Sequence, residues 1–328
     1  MKKRTLLLSV LLLLGVALTV ILIDRPSLEP YPFVSQANGD TTGLSATFLG
    51  TASILFRDGE TSILTDGFFT RPSIGKVMFG TVSPDTAIIQ RTLARLGVKR
   101  LDAVIVLHSH YDHVLDAPEI ARRTGALLVG SSSTAYVGRG YGLDTNRIVT
   151  VTAGDTLTFG RFSVTFIGSH HVPLPWLLGG RILGKDNTEP LAPPARADSY
   201  LEGEDFAILL RHPDGTAAVT GSAGYRKGFF NGMQADNLFL SIAGLSRTND
   251  AYRQEYFGET VTALHASRVI PIHWDNFTLP LDEPLRLPPR FIDDFDETMR
   301  FLYEKMPGDH IVLLQAWGRT GLSKQGKE

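Results

Sequence analysis

His108-Ser109-His110-Tyr111-Asp112-His113 places three imidazoles and a carboxylate within six residues. Residues two apart in an extended segment point to the same side, so His108 and His110 can hold one cation together. Asp112 and His113 follow as the chain turns toward the next helix and can hold a second cation nearby. Distant histidines must complete each shell: His170 or His171 for the first cation and His273 for the second. Five of the nine histidines lie in this run or in the adjacent pair His170-His171. Such clustering points to a metal site, and His212, His265 and His310 are left as structural. The chain has no cysteine, so every ligand must be His, Asp or Glu. Imidazole and carboxylate without thiolate suit Zn²⁺, as one or two ions, with Mn²⁺ or Fe as alternatives. Such an ion lowers the pKa of bound water to about 7, so the expected chemistry is hydrolysis without a serine nucleophile.

These side chains need a rigid frame. ATFLG (46–50), SILFRD (53–58) and TSILTD (61–66) read as short strands, with Asp58-Gly59 as a turn. Residues 84–96 carry helical periodicity that stops at Gly97. DAVIVL (102–107) is a continuous apolar strand that delivers the histidine run to the edge of a sheet. Asp116-Ala117-Pro118-Glu119 reads as a helix start with Asp116 as N-cap. ALLVG (126–130) is a strand followed by a loop, and residues 148–168 are rich in hairpin signals. Residues 172–199 are rich in Pro and Gly and too long for an ordinary connection, so they read as an active-site flap. Strands follow at 206–212, 216–221, 238–244 and 268–274, with a helix over 250–266. A helix over 292–305 and a strand over 310–316 close the chain. Strand runs succeeded by helices predict an α+β fold of two sheets packed face to face with helices outside.

HSHYDH (108–113) fits the HxHxDH signature of the metallo-β-lactamase superfamily, and the resemblance extends over residues 44 to about 316. It implies a four-layer αββα sandwich. ILTDG (63–67) resembles the family's first motif, whose aspartate, here Asp66, supports the ligand loop. IGSH (167–170) resembles the third-histidine motif and favours His170 over His171. The resemblance implies metal binding by His108, His110, Asp112, His113, His170 and His273, with Asp112 also hydrogen-bonding the attacking water as a catalytic residue. PIHWDNF (271–277) resembles the branch containing N-acyl-phosphatidylethanolamine phospholipase D and ascorbate-6-phosphate lactonase. That branch implies a phosphodiester, a phospholipid-type ester or a lactone as substrate. The chain departs from it at Ser222, where the branch carries an aspartate that bridges two metals. A neutral hydroxyl holds two cations together far less well, which leaves a membrane-tethered, catalytically degenerate metal-binding or scaffold protein as the alternative to a hydrolase.

Composition bounds these readings. The chain is 43% hydrophobic and 20% charged, as for a globular protein. Its formal net charge is −2, and without the basic leader the remainder is more negative still. Nucleic acid is therefore not an expected partner, and a small-molecule or lipid substrate is. Residues 5–23 are uncharged and almost wholly apolar, behind Lys2-Lys3-Arg4. At about 1.5 Å per residue they could cross a hydrocarbon core of roughly 30 Å as an N-terminal hydrophobic helix. The basic flank then predicts a membrane anchor with the catalytic domain exported to the periplasmic or extracellular side. Secretion after signal cleavage is the alternative. The expected organisation is a signal-anchor or signal peptide over 1–23, a linker over 24–43 and a hydrolase domain over 44–328.

Overall fold

Short β-branched and aromatic runs open the fold: Ser45–Phe48 (β1), Ile54–Arg57 (β2) and Ser62–Thr65 (β3) pair antiparallel in succession. The computed structural model describes residues 23–33, 43–175, 180–281 and 284–322, with positions 15, 19 and 21. Helices Ile74–Phe79 (α1) and Thr86–Arg95 (α2) follow, the second capped by the Asp85 carboxylate, which accepts from the Ala87 and Ile88 amides. Ala103–Ile105 (β4) then lies parallel to β3, wholly buried as its apolar run predicts. Tyr111–Val114 (α3), Ala117–Thr124 (α4), Leu127–Gly130 (β5), Ser132–Gly140 (α5) and Ile148–Thr150 (β6) complete the first half.

The second half begins with Thr156–Phe159 (β7) and Phe162–Gly168 (β8), a hairpin turning at Gly160 with φ +53°. Phe206–His212 (β9), Gly215–Thr220 (β10) and Asn237–Ser241 (β11) follow. Asp250–Phe257 (α6) continues into a π-helical stretch over Gly258–Thr262. Arg268–Ile272 (β12), Phe295–Lys305 (α7) and Arg319–Gly321 (β13) end the described chain.

One sheet runs β13-β1-β2-β3-β4-β5-β6 and the other β12-β11-β10-β9-β8-β7. Phe56 of β2 meets Phe239 of β11 edge to face at 5.5 Å between ring centroids, so the sheets share one core. The α+β fold of two sheets with helices is therefore as the sequence predicts.

Several local expectations are corrected. The 148–168 stretch divides between the sheets, because β6 pairs with β5 whereas β7 and β8 pair with each other. Residues 310–316 make only isolated bridges, Ile311 to Val269 and Leu313 to Phe33. Trp317 then turns the chain at φ +69°, and the closing strand is β13, paired with β1. Residues 132–140, read as loop for their serines and glycines, are helical. Ser131 caps that helix, and Gly138 lets it approach Leu128, where a Cβ would lie 2.7 Å from the leucine. Asp116 does not cap α4. Its carboxylate instead accepts from the Phe69 and Thr70 amides and the Thr70 hydroxyl at 2.6–2.7 Å, tying the loop after β3 to the histidine-bearing segment.

The membrane placement is also corrected. Among the described residues no helix is long and apolar enough to cross a membrane. Most of residues 5–23 lie outside the described residues, so the expected N-terminal hydrophobic helix and the exported, membrane-anchored catalytic domain are not supported. The tip of the 172–199 flap, residues 176–179, also lies outside the described residues. Part of the expected linker packs on the fold: Tyr31 meets Phe295 at 5.1 Å and Phe33 meets Trp274 at 5.7 Å.

Candidate metal centre

The centre forms where β4 leaves its sheet. Leu107 stitches the two sheets together, its amide donating to Asp66 Oδ1 at 2.8 Å and its carbonyl accepting from the Phe206 amide at 2.9 Å. Asp66 adopts φ +51°, in the left-handed region that aspartate tolerates better than most residues. Its second oxygen, Oδ2, lies 2.7 Å from His113 Nδ1, so the family motif's supporting aspartate stands where the sequence places it.

Two groups of donors result. His108, His110 and His171 form one, and Asp112, His113 and His273 the other; within each, the donor atoms lie within 4.8 Å of one another. The groups adjoin, with the His108 and His113 ring centroids 3.7 Å apart. His273 Nε2 lies 3.2 Å from His113 Nε2 and 3.5 Å from Asp112 Oδ2. His273 reaches the site from a turn after β12 at φ +60°, its amide donating to the Thr51 carbonyl at 2.8 Å. The Thr51 amide donates to Asp275 Oδ1 at 2.8 Å, and Asp275 Oδ2 is paired with Arg71 at 2.5 Å, both side chains fully buried.

His170 is not in the site. Ser169 is buried and donates its amide to the Asp205 carbonyl, His170 is exposed, and His171 turns back inward beside His108 and His110 at ring-centroid distances of 5.0 Å. This is the alternation of an extended chain, in which neighbours face opposite sides. A motif that ends on the first histidine of a pair does not report it; the inward parity of Ser169 would have. His212 pairs with Asp58 at 3.2 Å, away from the centre.

Ser222 Oγ accepts from the Val172 amide at 3.0 Å and so secures the segment carrying His171. Sequence reasoning missed Asp205, a buried residue immediately before β9. Its Oδ2 lies 3.7 Å from His108 Nδ1. Among the described residues neither Asp205 oxygen and neither His108 nitrogen has a hydrogen-bond partner, and His110 Nε2 and His273 Nδ1 are likewise unpartnered.

The electrostatics suit cation binding. Burial, reinforced by neighbouring histidines, holds His108 and His110 well below the ordinary imidazole range. Burial also lowers His171 to about 4. Its Nδ1 faces the Val172 carbonyl at 2.9 Å and must carry the hydrogen, which leaves the Nε2 lone pair free. Burial opposes the ionised form of Asp112, but His113 and His273 outweigh it and keep the carboxylate charged. Burial likewise opposes protonated His113, yet Asp66 and Asp112 raise it to about 9. The neutral imidazoles of His108, His110 and His171, the charged Asp112 carboxylate and the orphaned buried nitrogens form a donor set that fits a divalent transition metal.

Residues 46–194 match the Metallo-beta-lactamase superfamily. A UPF0173 metal-dependent hydrolase of Chelativorans sp. is 32% identical over 217 residues, covering 64% of this chain and 81% of the relative. The chain belongs to this family of metal-dependent hydrolases. Another member, from Heliobacterium modesticaldum, is 23% identical over 273 residues, covering 82% of this chain and 98% of its own length. Among solved structures, the metallo hydrolase Igni18 of Ignicoccus hospitalis aligns with TM-score 0.54 at 14% identity, covering 87% of this chain and 99% of its own. The metallo-beta-lactamase fold protein YhfI of Bacillus subtilis aligns with TM-score 0.54 at 16% identity, covering 84% and 98%. Both share the fold. The narrower resemblance to the phospholipase D and lactonase branch is not supported by these relatives, whose names state metal-dependent hydrolysis and no substrate.

Proposed function

We propose that this metal-dependent hydrolase cleaves a phosphodiester, a phospholipid-type ester or a lactone at the paired donor groups. The observation that carries the reading is the adjacency of two three-donor groups in which the His113 and His171 rings are each fixed from behind at Nδ1. His108, His110 and His171 would hold one ion and Asp112, His113 and His273 a second, with Zn²⁺ the best match to the donors and Mn²⁺ or Fe as alternatives. When bound, such an ion supplies a water acidified to about pKa 7 and a Lewis acid for the electrophile.

The chain's own residues do the rest. Asp66 commits His113 Nδ1 to its own carboxylate and leaves Nε2 for the ion. The Val172 carbonyl does the same for His171. Asp112, a charged carboxylate beside His113 and His273, is assigned the catalytic role: it would accept a hydrogen bond from the attacking water and orient it. Ser222 Oγ accepts from the Val172 amide, and the three-histidine group is complete without it. What supports the substrate class is the PIHWDNF segment around His273.

The test is elemental analysis of purified protein with a panel of bis(p-nitrophenyl) phosphate, a lactone and a phospholipid-type ester. At least one tightly bound transition metal per chain is expected, with turnover of a panel member that a chelator or His110→Ala abolishes. Fewer than one bound ion, or wild-type turnover by His110→Ala, would overturn the proposal.

A further inference from the structure

Asp205 is the only carboxylate among the buried, unpartnered side-chain groups of the described residues. Its side chain is 1% exposed, and among the described residues neither oxygen has a hydrogen-bond partner. An unpaired buried carboxylate is costly, and persists where a neighbouring group compensates it in the working state. The imidazole 3.7 Å away, His108, is equally buried and equally unpartnered at both nitrogens. Backbone bonds pin the acid from both sides. Its carbonyl accepts from the Ser169 amide, and the next amide, of Phe206, donates to the Leu107 carbonyl beside His108. Arg226 lies nearby but directs its Nε to the Ser169 carbonyl at 3.0 Å.

Two other inward imidazoles show what such a pair is for. His113 has Asp66 behind its Nδ1 at 2.7 Å, and His171 has the Val172 carbonyl behind its Nδ1 at 2.9 Å. Each acceptor fixes the tautomer and leaves Nε2 for a ligand. His108 has an acceptor in the same relation to its Nδ1, but one hydrogen-bond closure short of contact. Binding at Nε2 makes the Nδ1 hydrogen more acidic, which draws the carboxylate in. We propose that Asp205 is the positioning residue of the three-histidine group: it accepts the Nδ1 hydrogen of His108 and so commits Nε2 to the metal. The inference rests on the reading above that His108, His110 and His171 hold an ion.

The test uses the full chain with Co²⁺ as probe, titrated against a chromophoric chelator while the visible absorption of the bound ion is followed. Asp205→Asn is expected to weaken the tighter Co²⁺ site by about 10–100-fold and to shift its absorption bands. In a His108→Ala background the same substitution should have no further effect on that site. A two-bond ¹H–¹⁵N correlation of the wild-type protein with Zn²⁺, which needs no variant to fold, should show His108 protonated at Nδ1. Affinity within threefold of wild type with unshifted bands, or His108 protonated at Nε2, would overturn the proposal. If His108→Ala and His110→Ala themselves leave Co²⁺ binding unchanged, the metal-site reading fails instead.

Discussion

The buried pair of Arg71 and Asp275 allows a perturbation whose size and sign follow from the coordinates. Both side chains are fully buried and meet at 2.5 Å, and Asp275 has one further partner, the Thr51 amide at 2.8 Å. Arg71→Met leaves a charged carboxylate in the interior with that single donor. Breaking a buried ion pair from one side costs about 3–5 kcal/mol, a large share of the roughly 5–15 kcal/mol that stabilises a typical domain. Replacing both partners, as Arg71→Met with Asp275→Leu, removes the charge, together with the long bond from Arg71 to the half-buried Leu279 carbonyl, and leaves the Thr51 amide without its acceptor, at about 1–3 kcal/mol. The double variant should therefore be more stable than the single one. Urea denaturation with linear extrapolation, in chelator so that bound ions add nothing, measures both. The site should respond as well, because Thr51 links Asp275 to the His273 amide. Occupancy of the Asp112, His113 and His273 group should fall in the single variant. A cost below about 1 kcal/mol for Arg71→Met, or a double variant as unstable as the sum of the singles, refutes the argument from buried-charge energetics.

Three other outcomes follow from the geometry. His171→Ala should deprive the three-histidine group of its ion in elemental analysis, whereas His170→Ala, on the outward face, should retain wild-type metal content; equal losses would show the parity argument to be mistaken. Asp66→Asn should weaken metal binding at His113 by about 10–100-fold in chelator competition, and an unchanged affinity would detach Asp66 from the centre. Burial raises Asp116 from 3.8 to about 6, against hydrogen bonds from Thr70 and Phe69. Between those values the folded state keeps a proton that the unfolded state releases, so stability is greatest below pH 4 for this group and falls as pH rises through 6. The loss amounts to about 2–3 kcal/mol. Asp116→Asn, whose amide can both accept from the backbone and donate to Thr70, should flatten the decline in urea denaturation measured from pH 4 to 7; parallel profiles would refute the assignment.

Patterns dictated by burial alone were legible in the sequence. DAVIVL had to be a covered strand because nothing polar interrupts it, and the histidine run at its end had to emerge at the sheet's edge. Elements that depend on partners were not. α5 holds two glycines that disfavour a helix locally, and it forms because Gly138 lets it pack on β5. Arg319–Gly321 carries no alternation, and becomes a strand because β1 offers it an edge. The opposite error occurred at residues 310–316, where an apolar run reads as a strand but serves as buried filling between the second sheet and Phe33.

The centre shows the same division, and it explains which residues were found. Metal donors must converge on a point, and the cheapest way to converge several is to place them within one turn of chain, which gives a dense motif such as HSHYDH. The groups that orient them must approach from behind, so they come from other strands: Asp66 after β3, the Val172 carbonyl after β8, Asp205 before β9. Ser222 follows β10 by two residues and Asp205 precedes β9 by one, so both lie at the same end of this antiparallel pair. Ser222 secures the His171 segment through the Val172 amide, and Asp205 faces His108. Two ligands of the three-histidine group are thus addressed from the same end of one strand pair. A departure from a family motif at Ser222 therefore says little about that group until its neighbours at that end are known. Asp205→Asn bears on His108 alone, and Ser222→Ala on His171 alone, so the two substitutions should weaken the same ion independently.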